Sequence, residues 1–348
     1  MQTSIVFGRI KRRPGPNPRA RSSTSYLPQG TACLEERLLL SGTAPAVSRT
    51  TLAVRTHLAQ GPIAVPSIAK AQRGQIVYRN ITYTDAFGQP EQLDVYVPKG
   101  IPPTGGWPVI VAIHGGGWRR LDKRGYGPRI ASAFVPHGYV VVAPDYPLSS
   151  PGNPTWPKNL EDLQTAMRWV RLNAGTFHID AGRIVAMGES AGANLANLLG
   201  TGSNVAGIAG PTGSAAVEAV VSFSAPTDLA ALYVSSPQAG KAVAQFLGGP
   251  PTAVPVSYAA ASPVEQVSRD DPPTFLVHGA IDSLVPVSQS EKLAAALRVA
   301  GVPKRLVVIP GAGHELDFPS KTPRNLVSQI LAFLDAIWND KVSQSLNL

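Results

Sequence analysis

The stretch RIVAMGESAGANLANLLG, residues 183–200, decides the fold of this chain. Its first part, residues 184–187, has the apolar pattern of a short buried strand, and residues 191–199 have that of an apolar helix rich in small residues. Ser190 stands at the junction between them. The stretch therefore predicts a strand that turns directly into a helix, with a serine at the turn.

Ser190 is the centre of a G-x-S-x-G pentad, flanked at a distance of two residues by Gly188 and Gly192. A turn this sharp leaves no room for side chains at those two positions. It lifts the serine hydroxyl out of the sheet and places it at a helix N-terminus, where backbone N–H groups face incoming negative charge. The pentad alone also fits an ordinary Gly/Ser turn, but the strand and helix around it favour a nucleophile elbow.

Length and composition limit the possible classes of protein. The chain has 348 residues, 44% of them hydrophobic, which is enough for one large domain or two small ones. No apolar run approaches the roughly 18 residues of a membrane helix, so no membrane span is predicted. The single cysteine, Cys33, excludes an intramolecular disulfide and a CxxC metal site. We expect no metal and no organic cofactor.

The net charge of +9 is concentrated near the N-terminus. Residues 1–66 carry nine Lys and Arg against two Glu, and the remainder is close to neutral. A body that binds nucleic acid is therefore not expected. Residues 1–66 lack hydrophobic periodicity and predict a disordered or targeting basic tail, followed by a catalytic domain over residues 67–348. The tail lacks the apolar run of a secretory signal, which leaves both export and a cytoplasmic location open.

Strand and helix patterns alternate from residue 75 onward. We predict a doubly wound, mostly parallel eight-stranded sheet with helices on both faces. The segment 229–263 is expected to form a short lid or one wall of the pocket, rather than a large cap domain. The predicted strands are residues 76–83, 92–97, 109–113, 139–143, 184–187, 217–223, 274–278 and 305–309, and the predicted helices are 129–136, 160–173, 191–199, 287–300 and 325–338.

A nucleophilic serine requires an imidazole base, and the imidazole requires a carboxylate to orient it. Asp282 and His314 follow the last two predicted strands, so they are expected at the same sheet edge as Ser190. Asp228, after the preceding strand, is the alternative acid, although helix capping is the role it fits better. His278, at the end of its strand, is expected to be structural.

The segment HGGGW, residues 114–118, follows the predicted strand 109–113 and supplies an oxyanion hole. Backbone N–H groups must approach a developing oxyanion closely, which side chains would prevent. We predict that Gly116 and Gly117 donate together with the Ala191 amide, while His114 holds the loop. Trp118 and Trp156 are candidates for the wall of the substrate pocket or for the core.

Several motifs together resemble the carboxylesterases of the α/β-hydrolase superfamily, and most closely the bifunctional feruloyl and acetyl esterase-like group. They are HGGGW, GESAG (188–192), HGAIDSLVP (278–286) and GAGH (311–314), with DVYVP (94–98) and NLEDLQTAMRWV (159–170) between and before them. The resemblance covers residues 76–338 and implies the α/β-hydrolase fold. The chain departs from the group at Pro147, where an arginine is common. It also lacks the N-terminal helical cap of the adjacent hormone-sensitive-lipase type, which implies an open site.

The sequence thus predicts a serine carboxylic-ester hydrolase that acts on short-chain acyl esters of the acetyl or feruloyl type. Its substrate is expected to be a small-molecule or carbohydrate-linked ester. Two alternatives remain open: a peptidase or amidase of the same fold, which the absence of propeller-like repeats disfavours, and a non-catalytic binding protein, which an intact triad disfavours.

Overall fold

The computed structural model describes residues 70–72, 74–84, 90–201, 214–316, 318–319 and 322–345. The predicted tail, residues 1–66, lies outside this part of the chain. Within it, no helix is long and apolar enough to cross a membrane.

The described strands form one sheet in the order β1-β2-β3-β5-β4-β6-β7-β8-β9. In this order the six strands β5-β4-β6-β7-β8-β9 pair in parallel, whereas β1, β2 and β3 add an antiparallel edge. The predicted, mostly parallel sheet is confirmed, and the three-residue β1 extends its edge. The strands are β1 (Lys70–Gln72), β2 (Gln75–Thr84), β3 (Glu91–Pro98), β4 (Trp107–Ile113), β5 (Val140–Pro144), β6 (Ile179–Glu189), β7 (Ala219–Phe223), β8 (Thr274–Gly279) and β9 (Lys304–Ile309).

Helices cover both faces of the sheet, as predicted, because side chains alternate along the buried parallel strands. The described helices are α1 (Lys123–Phe134), α2 (Lys158–Leu172), α3 (Ala174–Phe177), α4 (Ala191–Thr201), α5 (Leu229–Ser235), α6 (Pro237–Leu247), α7 (Pro255–Ala260), α8 (Pro263–Gln266), α9 (Ser288–Ala300) and α10 (Leu326–Ser345). In β4, Val109 and Val111 pack on one face with α2 and α4, and Ile110 packs on the other with α1 and α10.

Helix α1 begins six residues before its predicted start at residue 129. Asp122 caps it by accepting a hydrogen bond from the Arg124 N–H at 2.9 Å. Gly127 and Pro128 weaken the helical pattern of the sequence, but Gly127 has a packing role. A Cβ at this position would lie 2.6 Å from the Ala143 methyl, so the glycine lets α1 approach β5.

Three carboxyl groups gather where α2 covers the antiparallel edge. Burial, together with the charge of Glu91, raises the pKa of Asp162 from 3.8 to about 7. Burial and the charge of Asp145 likewise raise the pKa of Glu91 from 4.5 to about 7. Asp145 itself is paired with the buried Lys123 at 2.6 Å. The uncharged forms of Asp162 and Glu91 are therefore the ones that suit the fold.

We expect Asp162→Asn to raise the free energy of unfolding at pH 8 by about 1–2 kcal/mol and to give no gain at pH 4. The Asp162 carboxyl loses its proton at an ordinary pKa when unfolded but near 7 when folded. The stability that the neutral Asp162 carboxyl contributes is therefore fully present below the unfolded pKa, and it is lost as the pH rises through the folded pKa of about 7. Urea unfolding at pH 4, 6 and 8 measures this. Asp270→Asn is the control, because that side chain is 83% exposed, and an equal loss of stability at every pH would contradict the prediction.

Candidate active site

Ser190 lies between β6 and α4 with a φ of 56°, in the left-handed region that non-glycine residues seldom adopt. Its N–H donates to the Phe223 carbonyl at the end of β7 at 2.8 Å. The chain reverses here from strand to helix, which leaves the side chain at the carboxyl edge of the sheet. The predicted elbow is thus present as a strand–serine–helix turn.

Both flanking glycines of the elbow are required by contact with backbone. A Cβ at Gly188 would overlap the Gly192 carbonyl, and a Cβ at Gly192 would overlap the carbonyl oxygens of Ile113 and His114. The contact at Gly188 lies within the turn itself, and the contact at Gly192 packs the start of α4 against the end of β4. Neither neighbour is a side chain that could rotate away.

We expect Gly188→Ala to lower the free energy of unfolding by about 3 kcal/mol, because the added methyl group must displace the backbone of α4. Gly175→Ala is the matched control, since a Cβ there meets nothing within 4 Å. Urea unfolding monitored by circular dichroism compares the two variants. Equal midpoints would show that the elbow has room for a side chain.

A chain of hydrogen bonds joins the three predicted triad residues. His314 Nε2 lies 2.8 Å from Ser190 Oγ, and His314 Nδ1 lies 2.7 Å from Asp282 Oδ2. Asp282 follows β8 and His314 follows β9, so both lie at the edge that carries the elbow. The Asp282 side chain is fully buried and that of His314 is 16% exposed. Such an arrangement can take a proton from the serine hydroxyl and hold the resulting imidazolium against a carboxylate.

The loops that carry Asp282 and His314 touch through their backbones. A Cβ at Gly279, the last residue of β8, would overlap the carbonyl oxygens of Ala312 and Gly313. The Ile281 N–H also donates to the Ala312 carbonyl at 3.0 Å. This close approach brings the Asp282 carboxylate and the His314 imidazole to hydrogen-bond distance.

Asp282 accepts hydrogen bonds at both carboxylate oxygens. Oδ1 receives the backbone N–H groups of Leu284 and Val285 at 3.0 and 2.9 Å. Oδ2 faces His314 and, at 3.2 Å, Nε2 of His278. Burial by itself would raise the pKa of Asp282, but the hydrogen bonds from His278, His314 and Val285 outweigh it and hold that pKa well below its ordinary value.

The alternative acid, Asp228, has a different role. Its Oδ1 accepts from the Ala231 N–H at 2.9 Å and caps α5, and its Oδ2 pairs with Lys292 at 2.7 Å. The structure thus places Asp228 as the helix cap that its sequence context favours.

The glycine segment after β4 lies directly against the elbow. A Cβ at Gly115 would lie 2.8 Å from the Glu189 carbonyl, and Gly116 and Gly117 have φ values of 110° and 62°. His114 stacks on Tyr146 at 4.3 Å, and the Tyr146 hydroxyl donates to the His114 carbonyl at 2.8 Å. Burial lowers the pKa of His114, which suits a residue that holds the loop as a neutral ring.

A cavity of about 550 Å³ opens over Ser190. Helices α5 and α6, within the segment predicted to be a pocket wall, form one side, while the glycine segment and the His314 loop form the others. One part of the lining is apolar: Trp118, Leu232, Ala239, Ala242, Leu284 and Val285. Another is polar: Tyr126, Arg129, Glu189, Ser190, His314 and Glu315.

The two predicted tryptophans differ in position. Trp118 lines the cavity and stacks on Phe246 at 4.5 Å. Trp156 is not among the described residues that line it and instead packs edge-on against Phe246 at 5.7 Å. Of the two alternatives left open by the sequence, Trp118 fits the pocket wall, whereas Trp156 packs against the core, which corrects its assignment as a substrate-binding residue.

Sequence reasoning missed two contacts of this site. His278 reaches the acid four residues away, a spacing visible in HGAIDSLVP. Arg129 Nη2 binds Oε2 of Glu189, the residue before the serine, at 3.0 Å, and no sequence pattern links these two positions. In the described part of the chain, no group of three or more His, Cys, Asp or Glu side chains is placed to hold a metal ion.

An elbow serine at the carboxyl edge of a mostly parallel sheet, with helices on both faces, defines the class of α/β-hydrolases. The family model BD-FAE matches residues 93–297, and the chain belongs to this family. The match contains Ser190 and Asp282, while His314 lies beyond its end.

Individual relatives agree with this assignment. The probable carboxylic ester hydrolase LipM of Mycobacterium tuberculosis is 32% identical over an alignment of 246 residues, and the match covers 68% of this chain and 56% of LipM. The chain spans 56 to 62% of the length of the curated mycobacterial esterases it matches. Among solved structures, a truncated carbohydrate esterase from gut microbiota matches 79% of this chain and 99% of its own, with a TM-score of 0.67 and 25% identity. An acetyl ester-xyloside bifunctional hydrolase from Caldicellulosiruptor lactoaceticus matches 72% and 90%, with a TM-score of 0.63 and 27% identity.

Proposed function

We propose that the chain hydrolyses carboxylic esters through a Ser190–His314–Asp282 triad, carried by a catalytic domain over residues 67–348. The observation that carries the proposal is the pair of hydrogen bonds of 2.8 and 2.7 Å at the two nitrogens of His314, beneath an open cavity. Membership of the BD-FAE family and likeness to named esterases support it.

In the acylation step, Ser190 Oγ attacks the ester carbonyl carbon while its proton passes to His314 Nε2. The carbonyl π pair moves to oxygen and forms a tetrahedral oxyanion. Asp282 holds the Nδ1 proton of His314, so that Nε2 is free to accept, and stabilises the imidazolium that forms. When the oxyanion collapses, the bond to the alcohol oxygen breaks, and Nε2–H protonates that oxygen as it leaves.

The oxyanion is held by backbone N–H groups of Gly116, Gly117 and Ala191. Ala191 is the first residue of α4, where helix N–H groups lack partners within the helix. Gly116 and Gly117 line the same cavity as Ser190. Each donor of this kind contributes about 3 to 4 kcal/mol to acyl transfer.

In the deacylation step, His314 takes a proton from water as the water oxygen attacks the acyl carbon. The second oxyanion collapses with release of the acid, and the proton returns to Ser190 Oγ. Every proton and electron pair is accounted for by the triad, the ester and water, and the proposed step uses no metal or organic cofactor.

The proposed substrates are short-chain acyl esters, of the acetyl or feruloyl type, on small alcohols or carbohydrates. The apolar side of the cavity, with Trp118 and the two alanines of α6, suits a small acyl group, and the charged side suits a hydroxylated alcohol. The names of the carbohydrate esterase and the acetyl ester-xyloside hydrolase point the same way.

The test is covalent labelling of the full chain with a fluorophosphonate, followed by peptide mapping, together with turnover of p-nitrophenyl acetate, acetylated xylan and methyl ferulate. We expect one label per chain at Ser190 and turnover of at least one ester, faster than that of an anilide of the same acyl group. Faster cleavage of the anilide would favour an amidase. Absence of both labelling and turnover would exclude the proposed activity.

A further inference from the structure

A second histidine lies beside the acid of the proposed triad. His278 is the penultimate residue of β8, and neither its side chain nor that of Asp282 is exposed to solvent. The proposed mechanism uses His314 and leaves His278 without a role. A buried imidazole next to a buried carboxylate calls for a physical account, because both groups lose hydration on burial.

The contacts of His278 define which ring nitrogen carries the hydrogen. Nε2 lies 2.8 Å from the Val285 carbonyl and 3.2 Å from Asp282 Oδ2, and both of these oxygens only accept. Nε2 is therefore the donor. Nδ1 lies 2.7 Å from Ser290 Oγ in α9, whose hydroxyl can donate to it. The hydrogen on Nε2 is bonded to the Val285 carbonyl, and the longer contact to Asp282 Oδ2 adds an electrostatic attraction from the same N–H.

The N–H group of His278 also lies close to the carboxylate oxygen that binds His314. Asp282 Oδ2 meets His278 on one side and His314 on the other, while Oδ1 is held by two backbone N–H groups. Val285 closes the arrangement, since its N–H binds Asp282 Oδ1 and its carbonyl accepts from His278. Hydrogen bonds therefore hold both oxygens of the carboxylate, and the His278 N–H lies 3.2 Å from the one that faces His314.

We propose that His278 is a positioning residue for ester hydrolysis: its Nε2–H holds Asp282 Oδ2 in line with His314 Nδ1 and shares the charge of that oxygen. This inference rests on the proposed function of the triad. Ser290 acts one step further out, by fixing the ring of His278 from α9. His278 does not touch the substrate in this account, and it acts through Asp282.

The test compares His278→Gln with His278→Leu in the full chain. A glutamine amide can place an N–H near the position of Nε2, whereas leucine fills the space without a donor. We expect His278→Leu to lower kcat by about tenfold to a hundredfold, with KM little changed. Loss of a residue that orients a metal-binding side chain has an effect of this size. His278→Gln should recover most of this loss. Ser290→Ala, which leaves the Asp282 contact in place, should show a smaller loss, and it serves as the second variant if leucine prevents folding.

The pH profile of kcat/KM separates positioning from a purely structural role. The titratable groups in contact with Asp282 are His278 and His314, with Glu315 adjacent on the same loop as His314. Loss of the His278 donor leaves more charge on Oδ2 to stabilise protonated His314. The acid limb should therefore move to higher pH in His278→Leu and stay in place in His278→Gln.

The outcomes are distinct. A folded His278→Leu protein with wild-type kcat, or leucine and glutamine variants that lose activity equally with an unmoved acid limb, would overturn the positioning role. If the wild-type chain neither turns over esters nor reacts with a fluorophosphonate, the proposed function fails instead. Melting temperatures of all variants, measured alongside, ensure that kcat refers to folded protein.

Discussion

Ser190→Ala is expected to lower kcat for p-nitrophenyl acetate by about 10⁵- to 10⁶-fold, since loss of a triad nucleophile removes the covalent route altogether. Ser190 Oγ is the atom 2.8 Å from His314 Nε2, and alanine leaves that nitrogen without a proton to accept. Any remaining rate would come from binding and the oxyanion donors. Initial rates at saturating ester, with active-site titration of the wild type, measure the change.

Ser224→Ala is the matched control for this variant. Ser224 directly follows the neighbouring β7 at the same sheet edge and has a φ of 50°, close to the 56° of Ser190. It is fully buried, and its hydroxyl has no hydrogen-bond partner among the described residues. We expect wild-type rates from Ser224→Ala. If Ser190→Ala hydrolyses the ester at a comparable rate, Ser190 is not the nucleophile.

Asp282→Asn is expected to lower kcat by about 10³- to 10⁴-fold at neutral pH, because it favours the unproductive tautomer of the His314 imidazole. The two backbone N–H groups at Oδ1 cannot change direction, so the asparagine oxygen must take that position. The amide NH₂ then faces His314 Nδ1, which must accept. The ring hydrogen moves to Nε2, the nitrogen that would have to take the proton of Ser190.

Asp228→Asn supplies the control for Asp282→Asn. Asparagine can still cap α5, so only the contact with the half-exposed Lys292 weakens, and rates should stay within about twofold of wild type. Steady-state kinetics of both variants with one ester decide between the two carboxylates. A greater loss from Asp228→Asn would identify Asp228 as the acid.

Much of the architecture follows from local patterns in the sequence. Apolar runs indicate the parallel strands because these strands are buried on both faces. Small residues around Ser190 indicate the sharp turn because it leaves no room for side chains. Asp282 and His314 could be placed because carboxyl ends of parallel strands share one edge.

The remainder depends on contacts between distant segments. The start of α1 could not be predicted because Gly127 has low helix propensity, and its packing against β5, which requires a glycine, is not visible in the sequence. The sequence could not distinguish the positions of Trp156 and Trp118 because both depend on contacts with Phe246, ninety or more residues later in the chain. The pairing of Arg129 with Glu189 likewise requires α1 and the elbow to be placed first.

Backbone hydrogen bonds run in succession along the carboxyl edge of the sheet. The Ser190 N–H binds the Phe223 carbonyl, the Ser224 N–H binds that of Val277, and the Ala280 N–H binds that of Ile309, with distances of 2.8 to 3.0 Å. Each step joins the end of one strand to the end of the next, from the elbow to the loop of the base. The relative spacing of the three residues of the proposed triad is therefore set by hydrogen bonds of the main chain. Substitutions inside these strands that keep the core filled are therefore expected to leave Ser190, Asp282 and His314 within hydrogen-bond distance of one another.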